Sequence, residues 1–248
     1  MRLAGKTIVV TGGSRGIGRA CVVSAVAHGA RVLFCSREDG AASRDVERAA
    51  GAGAAVGVRA DVADEGSVIE LFDQAMRRFG AVHGVVNNAA ISRERLLVST
   101  TTEDWEAVID ANLTGGFLVT REAIRLFIEQ GQGGRVVSIG TLSQFGVSGN
   151  ASYATSKGGL AGLTRRIARE YAHSGILSTM VIPGYVETAM SATMTDHAKR
   201  TLVEGAPLRR SGAPEEIASV VSFLLSDAAA DLAGQAVFAA GGLHEVPP

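Results

Sequence analysis

The chain has 248 residues, of which 46% are hydrophobic and 20% charged, so it is long enough to bury a large core. A formal net charge of -1 excludes the strongly basic surface of a nucleic-acid-binding protein, and the composition excludes a disordered chain. No Pro/Ser-rich linker or internal repeat divides the sequence, which predicts one domain over residues 1–248.

Residues 1–6 lead directly into the first predicted strand, and no apolar run reaches the length of a membrane span. We therefore expect a cytoplasmic protein without a signal peptide or a membrane partner. Cys21 and Cys35 lie in apolar segments, and neither has a second Cys or a His at metal-ligand spacing. This predicts two buried free thiols and no metal site.

Short β-branched segments alternate with longer helical patterns along the chain. Strands are predicted at 7–10, 31–35, 54–59, 82–87, 135–139, 176–182 and 236–239. Helices are predicted at 17–28, 67–79, 105–128, 152–171 and 214–225. The alternation is typical of a parallel sheet, and the continuously apolar run 8–10 is typical of a strand buried on both faces. The prediction is a doubly wound, Rossmann-type α/β fold, with a seven-stranded parallel sheet and helices on both faces.

A glycine-rich segment follows the first strand and opens the first helix. Its glycines permit a tight turn and a close approach to a pyrophosphate, and the helix N-terminus favours the anion. A purely structural turn is the alternative, but the position directly after strand one favours a dinucleotide site. The candidate cofactor contacts here are Gly12, Ser14, Arg15, Gly16, Ile17 and Gly18.

The end of the second strand bears on the choice of cofactor. Ser36 and Arg37 stand where an NAD enzyme offers a carboxylate to the ribose hydroxyls. Arg37 and Arg15 can instead pair with a ribose 2′-phosphate through charge-assisted hydrogen bonds. The sequence favours NADP(H), the alternative for Arg37 being a solvated surface charge.

Tyr153 and Lys157 are four residues apart in a predicted helix and so share one face. A free tyrosine, with a pKa of about 10, is a poor base near neutral pH. A nearby lysine ammonium favours the phenolate, so the pair is a candidate acid–base site. An ordinary exposed pair is the alternative.

These motifs, in this order, resemble the short-chain dehydrogenase/reductase family: the glycine spacing of residues 12–18, Asn-Asn-Ala at 87–89 and Tyr-x-x-x-Lys at 153–157. The resemblance runs from Gly5 to Gly242. It implies interconversion of a ketone and a secondary alcohol, with Tyr153 as proton donor and acceptor. Lys157 would lower the pKa of Tyr153 and hold the ribose, and Asn112 would hold a water of a proton relay.

The resemblance also implies the remaining cofactor contacts. Asp61 and Val62 would lie at the adenine end, although Asp61 is also a candidate helix cap. Ala90 replaces the usual glycine of the Asn-Asn-Ala-Gly motif, and its methyl group is expected to crowd the backbone. Contacts around the nicotinamide are expected from Asn88, Ala89, Ala90, Ile182, Pro183, Gly184, Val186 and Thr188.

Thr141 aligns with the family's catalytic serine and offers the same hydroxyl donor to the carbonyl oxygen. The loop from Thr141 to Tyr153 is then one residue short, so Ser143 is a rival for this role. Ser138 is expected to be buried within strand five.

Residues 187–218 look most like 3-oxoacyl-carrier-protein reductases, which implies a β-ketoacyl thioester as the leading substrate. Gln132 and Ser174 stand where such enzymes tend to carry basic residues for the acidic carrier protein, so a polyketide-type ketone stays open. An alcohol or sugar dehydrogenase, or a catalytically silent NADP-binding subunit, is the alternative. The family also implies a homotetramer, through helices 105–128 and 152–171 and the C-terminal strand.

Overall fold

The protein is built on one sheet of seven parallel strands, in the order β3-β2-β1-β4-β5-β6-β7. The computed structural model describes residues 3–38, 40–51, 53–146 and 149–244. β1 and β4 are buried along their whole length, as their apolar sequences predict. The strands are β1 Thr7–Thr11, β2 Arg31–Ser36, β3 Ala55–Arg59, β4 Gly84–Asn87, β5 Gly134–Ile139, β6 Ile176–Pro183 and β7 Ala236–Ala239.

Helices cover both faces of the sheet, which confirms the predicted doubly wound fold. They are α1 Gly16–Ala27, α2 Ala41–Ala50, α3 Glu65–Phe79, α4 Thr102–Ile109, α5 Gly115–Gln130, α6 Ala151–Tyr171, α7 Asp196–Gly205 and α8 Pro214–Leu225. Apolar side chains of α1, α2 and α8 form the core on one face. Those of α3, α5 and α6 form the core on the other.

Helices α2 and α7 were not predicted, and the single helix predicted at 105–128 was wrong in detail. α2 buries only Ser43 and Val46, and α7 buries no residue completely, and their sequences hold only one and two large apolar residues to mark a helix. The helix predicted at 105–128 is interrupted by the π-helical turn Asp110–Thr114, which separates α4 from α5.

The strand order reverses between β1 and β4, and this creates a crevice at the carboxyl ends of the two strands. Ligands of open α/β sheets bind in such a crevice. The glycine loop leaves β1 here, and the segment with Asn88 leaves β4 beside it. The topology therefore brings the first two sequence motifs to one place.

Cys21 and Cys35 are free and buried, as predicted. Burial raises the pKa of each thiol to about 12, so both are unreactive near neutral pH. The described residues contain no group of three His, Cys, Asp or Glu side chains that could hold a metal. In the same part of the chain, none of the helices combines the length and apolarity that crossing a bilayer requires.

Candidate active site

The glycine loop is held in place by the end of β4. Gly12 has a φ of 64°, and a Cβ there would lie 2.9 Å from both the Cα of Ala89 and the Nδ2 of Asn88. Asn88 Nδ2 donates to the carbonyl oxygens of Thr11 and Gly12, each at 3.0 Å. Asn88, predicted as a cofactor contact, thus uses its amide to fix the loop that would carry the cofactor.

Thr11 completes this attachment, and the sequence analysis missed it. Its Oγ1 accepts from the amides of Asn88 and Ala89, at 3.1 and 3.0 Å, and donates to the carbonyl of Val86 at 3.2 Å. A threonine at the end of a strand is common for its β propensity alone, so the sequence carries no distinct signal of this role.

The N-terminus of α1 is open toward the crevice. Arg15, the N-cap residue, is extended and makes no side-chain capping bond, so the first amide groups of α1 lack that partner. Gly18 packs tightly under the loop, because a Cβ there would lie 2.2 Å from the Gly12 carbonyl oxygen. Ser14 and Ile17 are half-buried in the same turn. This backbone cradle fits a dinucleotide pyrophosphate.

The segment after β6 closes the crevice from the other side. A Cβ at Gly16 would lie 3.4 Å from the Cγ2 of Thr188, and one at Gly184 would lie 2.9 Å from the Cα of Ala240. Ile182, Pro183 and Val186 are buried beneath this segment. The predicted nicotinamide-side residues therefore lie opposite the start of α1.

The predicted adenosine end lies at the carboxyl ends of β2 and β3. Ser36 Oγ donates to the Glu38 carbonyl oxygen at 2.6 Å, and Arg37 is exposed. Asp61 Oδ1 accepts from the Ala63 amide at 3.0 Å, whereas the N-cap of α3 is Asp64. The interpretation of Asp61 as the helix cap was therefore wrong.

Val62 packs against the start of α5: a Cβ at Gly115 would lie 2.8 Å from its Cγ2. Ala90 is half-buried beside Ile91, whose backbone is bonded by Asn112. The expected crowding by the Ala90 methyl group stays a prediction.

Lys157 is a buried amine. It is 1% exposed, and its Nζ donates to the Ile139 carbonyl oxygen at 2.8 Å. The same Nζ lies 5.7 Å from the centroid of the Tyr153 ring. Burial lowers the pKa of Lys157 to about 8, and no carboxylate among the described residues forms a salt bridge with it.

Tyr153 lies one turn earlier on α6 and is half-buried. Burial raises the pKa of its phenol to about 12. Burial is the cause of this shift, and the expectation that Lys157 lowers the pKa of Tyr153 stays a prediction.

Asn112 links the π-helical turn to α6, the helix that carries Tyr153 and Lys157. It is 1% exposed, its Oδ1 accepts from the Ile91 amide at 2.9 Å, and its Nδ2 donates to the Ile91 carbonyl at 3.0 Å. Nδ2 also lies 3.1 Å from Ser156 Oγ, to which it donates. Asn112 therefore bonds across to other segments and not back to its own helix. Its role in a water relay stays a prediction.

Ser156 was missed by the sequence analysis. It is completely buried, and its Oγ accepts from Asn112 and donates to the Tyr153 carbonyl at 2.8 Å. The residue connects the π-helical turn to the backbone of Tyr153. Its only sequence signal is its place just before Lys157.

Thr141 and Ser143 lie together after β5. Thr141 Oγ1 accepts from the Ser143 amide at 3.2 Å, which caps the short 3-10 turn Leu142–Phe145 and leaves the hydroxyl proton of Thr141 for another acceptor. Both side chains are half-buried, so the choice between them stays a prediction. Ser138 is buried within β5, as predicted.

Known proteins match the chain over nearly its whole length. The family model described as Enoyl-(Acyl carrier protein) reductase matches residues 12–244. The chain is 36% identical to the 3-oxoacyl-[acyl-carrier-protein] reductase FabG of Aquifex aeolicus, covering 98% of this chain and 99% of that protein. The enzyme of the same name from Escherichia coli is also 36% identical, with 99% and 100% covered. This chain belongs to the short-chain dehydrogenase/reductase family.

Solved short-chain dehydrogenase/reductase structures share the fold. A levodione reductase superposes with a TM-score of 0.91 at 31% identity, covering 97% of this chain and 98% of that one. An Agrobacterium tumefaciens protein provisionally assigned as a gluconate dehydrogenase gives 0.90 at 35% identity, covering 97% and 96%. As a short-chain dehydrogenase/reductase, the chain is an oxidoreductase of CH–OH and C=O groups, in a family that uses nicotinamide cofactors.

Proposed function

We propose that this protein reduces a ketone to a secondary alcohol with NADPH, using Tyr153 as the general acid. The observation that carries the proposal is the Tyr153 ring beside the buried Lys157 amine, whose Nζ lies 5.7 Å from the ring centroid and bonds to Ile139 at the end of β5. The relatives named 3-oxoacyl-[acyl-carrier-protein] reductase support a β-ketoacyl thioester as the substrate class.

The residues present fit a dinucleotide. The open N-terminus of α1 and the glycine loop would hold the pyrophosphate, and the segment from Pro183 to Thr188 would bracket the nicotinamide. When bound, the reduced nicotinamide supplies the hydride for the carbonyl carbon. The Tyr153 hydroxyl then donates its proton to the oxygen that becomes the alcohol.

Lys157 acts after the proton has moved. Its Nζ keeps two donors beyond the bond to Ile139, and one of them would hold a ribose hydroxyl. The ammonium also stabilises the Tyr153 phenolate that donation leaves behind.

Gln132 and Ser174 stand at the two positions where a basic side chain would be expected to bind an acidic carrier protein. A Cβ at Gly133 would lie 2.5 Å from the Gly175 carbonyl oxygen, so the loops that carry Gln132 and Ser174 are neighbours. Both side chains are exposed and neither is charged. This supports a substrate presented as a small thioester or polyketide-type ketone over one recognised through an acidic carrier.

The experiment is a screen of the purified protein for oxidation of NADPH. Acetoacetyl-coenzyme A, an acetoacetyl carrier protein, cyclic ketones and quinones are compared in one assay. We expect the highest kcat/KM with a β-ketoacyl thioester and no large gain from the carrier protein. Turnover restricted to the other ketones contradicts the substrate class, and no turnover with any acceptor favours a silent NADP-binding subunit.

A second candidate is an alcohol or sugar dehydrogenase. The solved relatives named levodione reductase and, provisionally, gluconate dehydrogenase favour it, because they show that this fold serves other substrates. Oxidation of polyols or sugar acids with NADP⁺, at a higher kcat/KM than any ketone reduction, would decide for it.

The homotetramer implied by the family also stays a proposal. Phe117 and Ile128 on α5 are 44% and 56% exposed, which supports an interface on this helix. A cytoplasmic location, which was expected from the sequence alone, also stays a proposal.

Arg37→Asp should reverse the preference for NADPH. Arg37 is exposed at the end of β2, where a carboxylate would repel a 2′-phosphate and accept from ribose hydroxyls. We expect NADPH to bind at least about 10-fold more weakly and NADH no more weakly, from the loss of a charge-assisted hydrogen bond. Fluorescence titration of both cofactors measures this, with Arg78→Asp in the last turn of α3 as the control. Equal affinities of the wild type for NADPH and NADH would contradict the cofactor assignment.

Thr141→Val should lower kcat/KM by about 10²- to 10³-fold, as expected for the loss of a hydroxyl that stabilises developing charge. Thr141→Ser should retain activity because it keeps the donor. The Thr141 hydroxyl also caps the turn at Ser143, so thermal unfolding is measured beside the kinetics. Full activity of Thr141→Val together with loss in Ser143→Ala would assign the role to Ser143.

A further inference from the structure

Arg59, the last residue of β3, was assigned no role from the sequence. The parallel register of β2 and β3 pairs it with Ser36. Its Nε donates to the carbonyl oxygen of Arg37 at 3.2 Å. Besides Arg15 and Arg37, a third arginine therefore lies at the end of β2, where the preference between NADPH and NADH is expected to be determined.

The faces of the strands put Arg59 on the same side as the glycine loop. Phe34 packs into the core formed with α1, α2 and α8, and a Cβ at Gly57 would lie 2.8 Å from its ring. Because side chains alternate along a strand, Arg59 projects to this face two residues later. A Cβ at Gly13 would lie 2.6 Å from the Phe34 Cβ, so the glycine loop crosses the same point.

This corner carries three arginines beside the acidic residues Glu38 and Asp61. Arg15, Arg37 and Arg59 are exposed, and within the described ranges none of them forms a salt bridge with a carboxylate. Glu47 of α2 is the acidic side chain bonded to β3 here, and it accepts from the Gly57 amide at 2.7 Å. With Nε bound to Arg37, the two Nη groups of Arg59 keep their donors for an anion.

We propose that Arg59 is a specificity-determining residue for the 2′-phosphate of the cofactor. Its Nε fixes the backbone of Arg37, and its Nη groups form, with Arg15 and Arg37, a cradle for a dianionic phosphate. A ribose hydroxyl gains little from this charge, so the contribution is specific to NADP(H). The inference rests on the proposed use of NADPH.

The test measures binding by the full-length protein, not activity. Arg59→Gln and Arg59→Lys are titrated with NADPH, NADH, adenosine 2′,5′-bisphosphate and 5′-AMP at two salt concentrations. Arg59→Gln should weaken both 2′-phosphorylated ligands by about 10-fold and NADH and AMP by less than about twofold. Arg59→Lys keeps the charge but loses the planar guanidinium. Its affinity for the two 2′-phosphorylated ligands should therefore lie between those of the wild type and of Arg59→Gln. Arg78→Gln, an exposed arginine in the last turn of α3, should change no affinity.

The outcomes separate this inference from the proposed function. Equal weakening of all four ligands by Arg59→Gln assigns Arg59 only a supporting role for the loop and overturns the inference. Unchanged affinities overturn it as well. If the wild type binds NADPH and NADH equally, the proposed cofactor fails and the inference falls with it. If Arg37→Asp abolishes a wild-type preference and Arg59→Gln preserves it, the inference alone fails.

Discussion

Tyr153→Phe is expected to lower kcat for ketone reduction by at least about 10²- to 10⁴-fold, the range for loss of a general acid. The substitution keeps the aromatic ring next to Lys157 Nζ and removes only the hydroxyl. NADPH should therefore bind with unchanged affinity. Steady-state kinetics on the substrate found in the screen, with fluorescence titration of NADPH, measure both quantities.

Tyr171→Phe is the matched control, because Tyr171 ends the same helix and packs partly into the core without reaching the crevice. It should leave kcat within about twofold, as expected for a substitution away from the reacting atoms. Near-wild-type turnover of Tyr153→Phe would refute the assigned chemistry. Loss of NADPH binding together with activity would instead show that Tyr153 supports the cofactor site.

Lys157→Met is expected to inactivate the protein and yet stabilise its fold. The buried ammonium has a pKa of about 8 instead of 10.5, which corresponds to a cost of about 3 kcal/mol when it is charged. Methionine fills similar space without the charge but loses the bond to the Ile139 carbonyl, worth about 1 kcal/mol. The net gain at pH 7 should be about 1–3 kcal/mol, or roughly 2–4 °C in Tm for each kcal/mol.

The pH dependence of stability should identify Lys157 as the cause. Its folded-state pKa is depressed, so between about pH 8 and 10.5 the unfolded chain binds more protons than the folded one. The free energy of unfolding of the wild type therefore gains a rising contribution across this window. Lys157→Met lacks that contribution, and its advantage should shrink as the pH rises.

Lys199→Met provides the control for this prediction. The Lys199 amine also donates to a backbone carbonyl, that of Ala192 at 3.3 Å, but at the surface. Its substitution should change the free energy of unfolding by less than about 0.5 kcal/mol. Calorimetry at fixed protein concentration and several pH values compares the variants. A Lys157→Met protein that is less stable than the wild type at pH 7 would show that the buried amine is fully compensated.

The sequence predicted the fold well where burial leaves a periodic signal. All seven strands were located: continuous apolar runs mark central strands such as β1 and β4, which are covered on both faces, and short β-branched segments mark the less buried edge strands β3 and β7. α2 and α7 were missed because each is polar on average and holds at most two large apolar residues. The π-helical turn between α4 and α5 has no apolar signature of its own, so the sequence predicted one helix instead.

Site residues that belong to local sequence motifs could be predicted. Residues whose roles depend on contacts with distant segments of the chain could not. Tyr153 and Lys157 were identified from their spacing, and Asn112 from the family resemblance. Thr11 and Ser156 were missed because their partners in other segments lie 44 to 78 positions away in the chain. The burial that raises the pKa of the Tyr153 phenol could not be deduced from spacing.

The π-helical turn at Asp110–Thr114 takes up one residue more than a regular α-helical turn. Because this one turn absorbs the extra residue, α5 keeps the angular position that it would have in an uninterrupted helix, and Val119, Ala123 and Phe127 stay against the sheet. Deleting a single residue here should therefore leave the core packed, but it would close the wide turn from which the Asn112 side chain bonds to Ile91 and Ser156. The loss of one residue in this segment would displace the site before it destabilised the fold.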